Sequence, residues 1–337
     1  MKLRYLVAAT GAAAVLAATP SMAADAVTVK IGSFTPPKAK YLREIIIPFL
    51  RTVEQDSGGE VQFKEFWGGA LIRSPRKQWE GVMNKIQDAA QVLPAYTPKL
   101  FPDFTIFALP YTFRNTGSAE AAVAIWKMYE AGHLGGLEKV HVFGVYTNDN
   151  SGMHLNRKIS SLADIKGLKF RVPGKAEADV VKKLGGTPVG MSIRQVAESL
   201  NRGVIQGALA GWSALGTFRI TPLIKSHIDI PLGVRTFILA VHKDVYNRLG
   251  SKARDALARH GGLKLSKAMG NYYEADGRRL RADPGERTVV RLTQKDHDRL
   301  YNDIFKAYHT EWIAKNKDGQ RKYAALQSIL KDLRAGQ

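Results

Sequence analysis

The chain has 337 residues, room for two domains at about 150 residues each, and carries 50 Lys and Arg against 30 Asp and Glu, a net charge of +20. Its 45% hydrophobic and 24% charged content is that of a packed globular protein and excludes intrinsic disorder, which needs low hydrophobicity alongside charge. The absence of cysteine excludes disulfide scaffolds, thiolate nucleophiles and Cys-ligated metal centres; nucleic acid, an anionic membrane and a small acidic ligand all remain open as partners of the positive charge.

Lys2 and Arg4 precede an apolar run from Leu6 to Ala18, and Ser21-Met22-Ala23 supplies the small residues of a cleavage site. These are the three parts of a secretory signal peptide over residues 1–23. The run is too short for a bilayer core of ~30 Å, and no later stretch reaches the ~18 consecutive apolar residues of a membrane span, so stable membrane insertion is not expected. Removal of Lys2 and Arg4 leaves 48 basic against 30 acidic residues, a net +18. Export to the periplasm takes the protein away from chromosomal DNA, which removes nucleic acid as a partner.

Strands and helices then alternate. Val27 to Ile31 has the period-2 pattern of an opening strand, and a helical pattern from Tyr41 to Gln55 ends at Gly58-Gly59. A strand at Val61–Phe66, a helix from Arg76 to Asn84, a short strand within Ile86–Leu93, a proline-punctuated stretch from Pro94 to Pro110, a helix from Ala119 to Ala131 and a strand from Val140 to Tyr146 complete the first half. Ser161 and Asp164 cap a short helical turn that Gly167 stops. In the strand that follows, Leu168, Phe170 and Val172 share one face while Lys169 and Arg171 take the other. A helix from Ala176 to Leu184, a strand at Thr187–Val189, a helix opened by the Ser192/Gln195 capping box and a strand from Val204 to Ala210 come next. After a strand at Thr236–Val241 the chain turns helical from Lys252 to about Arg281, and beyond Pro284-Gly285 Thr293 caps a helix opening at Gln294. This order predicts an α/β fold of mostly parallel sheets flanked by helices, with ligand held beyond the C-terminal ends of the strands.

The chemistry-bearing residues form no catalytic motif. None of His133, His141, His154, His227, His242, His260, His297 and His309 stands in a His-x-x-x-His or His-Glu-x-x-His pair, and there is neither a nucleophile elbow nor a phosphate-binding loop. No metal, no cofactor and no enzymatic activity are expected. Asp149 and Glu198 read as solvated carboxylates, and Arg278, Arg279 and Arg281 as favourable charge at a helix C-terminus. Arg171 differs, because a guanidinium between apolar strand neighbours is costly to bury without an anion. That anion is either an internal carboxylate or a bound one, and a guanidinium suits either through two parallel hydrogen bonds.

Ser161-Leu-Ala-Asp-Ile-Lys-Gly-Leu-Lys-Phe-Arg-Val-Pro-Gly174 resembles the signature of the DctP-type substrate-binding proteins of TRAP (tripartite ATP-independent periplasmic) transporters. The resemblance continues through Gly185–Met191 and Gly203–Gly207, and upstream through Glu80–Asp88, Tyr96–Pro102 and Leu109-Pro110. It implies a two-domain periplasmic binding protein fold with a hinged cleft, an organic acid ligand, and the small and large TRAP membrane subunits as partners. It also implies that Arg171 forms the salt bridge to the substrate carboxylate. Chain order then predicts a first domain over residues 24–149 with a return segment at about 236–260, and a second over 150–235 with the C-terminal helices of 261–337.

Two departures bear on the ligand. Sialic-acid-binding members of this family carry a second arginine at the position of Ser151, and those and C4-dicarboxylate-binding members carry a polar Gln-Glu-Asn where this chain has Ala208-Leu209-Ala210 before Gly211-Trp212. Loss of a cation and gain of apolar wall predict a monocarboxylate, an aromatic or 2-oxo acid among the candidates. The alternatives are a C4-dicarboxylate receptor and an exported sensory protein for a carboxylate. Trp212 either packs on the body of the acid or fills the core at a strand end. Tyr96, Phe34 and Trp67, on loops at strand ends, are further candidates for the ligand site or for ordinary packing.

Overall fold

The computed structural model describes residues 26–335; the leader expected over residues 1–23 lies outside them. Strand β1 (Val27–Gly32) buries Val29 and Ile31 and pairs in parallel with β2 (Val61–Phe66), the connection carrying helix α1 (Ile47–Asp56). Helix α2 (Gln78–Met83) leads to β3 (Ala89–Val92), parallel to β1 on its other side, and helix α3 (Ser118–Glu130) leads to β4 (Val140–Thr147). The chain then leaves this sheet. β5 (Ser151–Leu155), β6 (Lys169–Val172), helix α4 (Lys175–Lys183), β7 (Thr187–Gly190), helix α5 (Val196–Asn201), β8 (Gly207–Gly211), helix α6 (Trp212–Thr217) and β9 (Ser226–Asp229) build a second lobe. β10 (Thr236–His242) returns to the first sheet, followed by helices α7 (Lys243–Asn247), α8 (Ser251–His260) and α9 (Gly262–Ala282). β11 (Thr288–Arg291) joins the second sheet before α10 (Gln294–Leu300), α11 (Lys306–Lys315) and α12 (Gly319–Ala335) close the chain.

The first sheet has the order β2-β1-β3-β10-β4 and the second β11-β9-β5-β8-β6-β7. Both are mixed, with two of four pairs parallel in the first and three of five in the second, and the reason for the antiparallel pairs lies in the crossings. β5 and β10, the strands by which the chain enters each lobe from the other, run antiparallel to both their neighbours, whereas the remaining pairs are parallel. Each sheet separates two apolar layers, as strand periodicity requires. Along β10, Leu239 and Val241 enter one core while Ile238 and Ala240 enter the other. Along β6, Phe170 and Val172 enter the second lobe's core and Arg171 points the opposite way, the alternation expected from the sequence.

The long helix expected from Lys252 to Arg281 is two helices. Gly262 has φ +60°, the left-handed region that favours glycine, and a Cβ on Gly261 would stand 2.6 Å from the Leu257 carbonyl oxygen and 2.9 Å from that of Phe143. The pair lets the chain bend tightly against β4. Residues 261–335 also divide between the lobes instead of staying with the second. α9 packs on α3 and β4 and touches α6, Leu300 and Phe305 enter the second lobe's core, and Trp312, Leu326 and Leu330 on α11 and α12 return to the first. Among the described residues no helix is long and apolar enough to cross a membrane.

Candidate functional site

The lobes face each other across a cleft lined by residues of both. Arg171 enters it from β6, 3% exposed. Its Nε donates to the Met191 carbonyl, Nη1 to the Leu209 carbonyl and Nη2 to the Tyr96 hydroxyl, each at 3.0 Å. A guanidinium has five N–H groups. Three are used here, all on neutral acceptors, so one hydrogen on each terminal nitrogen remains. Among the described residues no carboxylate forms a salt bridge with Arg171. Burial lowers its pKa, Tyr96 opposing and Arg235 adding to the shift, yet an arginine stays charged in any protein setting. The internal ion pair that the sequence left open is not what holds this residue.

A second guanidinium borders the same cleft. Arg235 sits where the chain crosses back to β10, and its backbone is tied to the other crossing: Arg235 N donates to Asn148 Oδ1 at 2.9 Å, and Asn148 N to the Arg235 carbonyl at 3.2 Å. Its Nη1 lies 3.3 Å from Glu177 on α4, both side chains buried, and its Nη2 is buried without a partner. Sequence reading missed this residue. The available signal was the one used for Arg171, an arginine among apolar neighbours in Leu232-Gly-Val-Arg-Thr-Phe237.

The walls are apolar and aromatic. Phe34 stacks on Phe218 across the cleft at 6.5 Å and 12°, and meets Tyr96 edge-on at 6.4 Å. Leu93, Ile193, Leu209 and Phe237 complete the apolar lining. One patch is polar: the Thr35 hydroxyl lies 2.6 Å from the Tyr41 hydroxyl, both bonded to Gln91, with Tyr273 beside them. Burial pushes the Tyr41 phenol up to about 12, so it is neutral at ordinary pH. Ties between the lobes lie beside the cleft. Tyr96 Oη, from the first lobe, accepts from Arg171 and from the Ile193 N–H of the second at 3.1 Å. Arg194 of the second lobe donates to the carbonyls of Phe34 at 2.7 Å and Gly68 at 2.9 Å in the first.

A buried cation without a salt-bridge partner, facing a two-lobed cleft, can chemically receive an anion. Residues 31–315 match DctP, the bacterial extracellular solute-binding proteins of family 7. The chain belongs to the DctP family of solute-binding proteins. Its structure is similar to a TRAP solute-binding protein of Rhodoferax ferrireducens in complex with copurified benzoate, 22% identical, TM-score 0.84, over 92% of this chain and 99% of that one. It is similar also to a TRAP solute-binding protein from an unidentified marine microbe, specific for aromatic acid ligands and bound to 3-hydroxybenzoate, 25% identical, TM-score 0.82, over 91% and 99%. In sequence it is 22% identical to the C4-dicarboxylate-binding periplasmic protein DctP of Rhodobacter capsulatus over 78% of this chain and 80% of that one. The stretch matched to the uncharacterized protein YiiZ of Salmonella typhimurium, 25% identical, spans 46% of this chain and 48% of that protein's length.

Within this DctP-type cleft the structure brings together Arg171, Tyr96 and Phe34 and leaves two predicted residues out. Trp212 opens α6 behind the cleft wall, 1% exposed, its ring stacked on His227 at 4.2 Å and edge-on to His154 at 5.2 Å, with the Arg281 guanidinium 5.3 Å from the ring centre. Its neighbours Gly211 and Ser213 line the cleft in its place. Trp67 packs half-buried against the first lobe's core and donates from Nε1 to Glu65 at 2.7 Å. Asp149, read as solvated, is 2% exposed. It accepts from Trp212 N at 2.8 Å and from the Ser213 hydroxyl at 2.6 Å, capping α6, and burial raises its pKa against the opposing pull of Arg281. Arg281 is correspondingly more than helix-end charge, pairing with Asp149 at 3.5 Å and Asp229 at 3.3 Å. Glu198 is exposed as expected, 3.0 Å from Arg202.

Proposed function

We propose that this protein, exported to the periplasm, is the receptor that captures an organic monocarboxylate with an apolar, aromatic-sized body and delivers it to the small and large membrane subunits of a TRAP transporter. The observation that carries the reading is Arg171, buried, without an anionic partner, and with one free hydrogen on each terminal nitrogen. Those two hydrogens suit the two oxygens of a carboxylate. Charge balance favours a single one, because Arg171 and Arg235 against Glu177 leave a net +1. The aromatic and aliphatic walls favour an apolar body, and benzoate and 3-hydroxybenzoate are the ligands of two proteins of the same fold. The free Nη2 of Arg235 and the Rhodobacter relative favour a second reading, a C4-dicarboxylate bridging two arginines.

Titration calorimetry with benzoate, 3-hydroxybenzoate, a 2-oxo acid, succinate and malate tests both. Micromolar binding corresponds to about 8 kcal/mol, and removing one partner of a buried ion pair costs about 3–5 kcal/mol. Arg171→Ala is therefore expected to weaken the preferred monoacid by at least ~100-fold with the fold intact. An Arg171→Ala protein that binds as tightly as wild type overturns the receptor assignment; tightest binding of succinate or malate overturns the monocarboxylate and leaves the second reading standing.

A further inference from the structure

We infer that Glu177 is a specificity-determining residue, which fixes the charge of the cleft at +1 and so selects acids of one negative charge over acids of two. The inference rests on the Arg171-anchored receptor proposed above. Glu177 lies in the first turn of α4, 4% exposed and outside the cleft lining. Its Oε1 is 3.3 Å from Arg235 Nη1, which also donates to the Val234 carbonyl at 3.1 Å. Arg235 Nη2, buried and unbonded, belongs to a residue that borders the cleft. Of the two guanidiniums in the cleft, Arg235 is paired with Glu177, while Arg171 has no salt-bridge partner among the described residues and feels the Glu177 charge only beyond salt-bridge distance.

The consequence follows from desolvation. A single carboxylate on Arg171 brings the enclosed charges, Arg171, Arg235, Glu177 and ligand, to zero. A second carboxylate would bring them to −1 in a site with little water, with Glu177 near enough to repel it, and an uncompensated buried charge is among the costliest features a protein interior can hold. Leu209 and Ala210, which line this wall, carry no side-chain donor to compensate that second charge. With a neutral residue at 177 the cleft would hold +2, and Arg235 would be free to meet the second carboxylate.

The test is calorimetry at fixed ionic strength with benzoate and isophthalate, on wild type, on Glu177→Gln, and on the doubly neutral Glu177→Met with Arg235→Met. Wild type is expected to prefer benzoate by ~100-fold or more, Glu177→Gln to narrow that ratio by about tenfold, and the double variant, again at +1, to keep the wild-type ratio within about threefold whatever its absolute affinities. A merely structural Glu177 would weaken both acids alike and leave the ratio where it was in Glu177→Gln, which overturns the inference. Should Glu177→Gln fail to fold, the double variant decides: a kept preference supports the charge count, and a lost one overturns it. A wild type that binds neither acid, or prefers isophthalate, overturns the reading of an aromatic-sized monocarboxylate and this inference with it, whereas a benzoate-preferring wild type with an unmoved ratio in Glu177→Gln overturns the inference alone.

Discussion

Tyr96→Phe isolates what the tie between the lobes contributes to ligand retention. The substitution deletes one oxygen and keeps the ring, so the edge contact with Phe34 at 6.4 Å and the Arg76 guanidinium 5.3 Å from the ring centre both survive. Lost are two hydrogen bonds onto that oxygen, from Arg171 Nη2 at 3.0 Å and from Ile193 N at 3.1 Å. A bond from a charged donor is worth about 1.5–3 kcal/mol and a neutral one about 1 kcal/mol, for a total near ~3 kcal/mol. Both donors belong to the second lobe and the hydroxyl to the first, so with the lobes apart water would satisfy all three groups. The loss should therefore fall on the closed, liganded state. The expected result is a Kd weakened by about 100-fold, carried mostly by faster dissociation, with the unliganded melting midpoint nearly unmoved. Stopped-flow kinetics and thermal unfolding with and without ligand measure the two parts. A variant that loses unliganded stability while its affinity stays within about threefold of wild type, under ~0.7 kcal/mol, would show that the hydroxyl serves the fold and not retention.

Two further outcomes follow from the second lobe. Trp212→Ala is expected to cost about 3–5 kcal/mol of unliganded stability, the usual loss for a fully buried tryptophan, while folded molecules bind with near wild-type affinity; unchanged denaturant midpoints with a greatly weakened Kd would return Trp212 to the ligand site. Acid should also destabilise the protein. Burial, with Arg287 adding, holds His227 down at about 4, and burial holds His154, 2.7 Å away through the Nδ1 atoms, well below its ordinary value. An unfolded histidine titrates near about 6.5. Between there and about 4 the unfolded chain binds more protons, so stability is lost as pH falls through that window, by up to about 1.4 kcal/mol per pH unit for each histidine. Urea midpoints across that window should fall less steeply in His227→Gln than in wild type, and equal slopes would refute the assignment.

What was legible in the sequence was local. The Ser192/Gln195 capping box and the Thr293 cap are local signals and both form, whereas the turn after Ser161 is tied by Asp164, whose carboxylate accepts from Ser161 N. The face on which Arg171 stands was read from five consecutive residues, because alternation along a strand is a local rule. β5, β9 and β11 went unread for a physical reason. All five residues of β5 are buried, which erases the polar–apolar alternation by which a strand is recognised, and β9 and β11 are four residues each. The missing half of the site is likewise non-local. Glu177 meets Arg235 only through the return crossing, and Asp149 caps a helix that begins at Trp212. No spacing rule along the chain connects such partners, and a charge in a sequence does not announce which other charge will cancel it.

That last point governs how the +20 should be understood. A second pocket, which shares Thr217 and Phe218 with the cleft and forms its charged rim, is lined by Lys38, Lys40, Arg194, Arg219 and Arg279 against the single carboxylate of Asp276. A field of that kind draws every small anion alike and raises arrival rates, and at about 0.15 M salt it is screened over ~8 Å. Screening is much weaker at Arg171, which is 3% exposed and donates to three neutral acceptors. Rim and floor therefore act on different steps. Charge reversal at the rim changes how fast acids arrive without changing which acid is kept, because discrimination needs a contact that differs between acids. Such contacts come from the unused hydrogens of Arg171, the Glu177-balanced Arg235, the Thr35–Tyr41 patch and the aromatic walls.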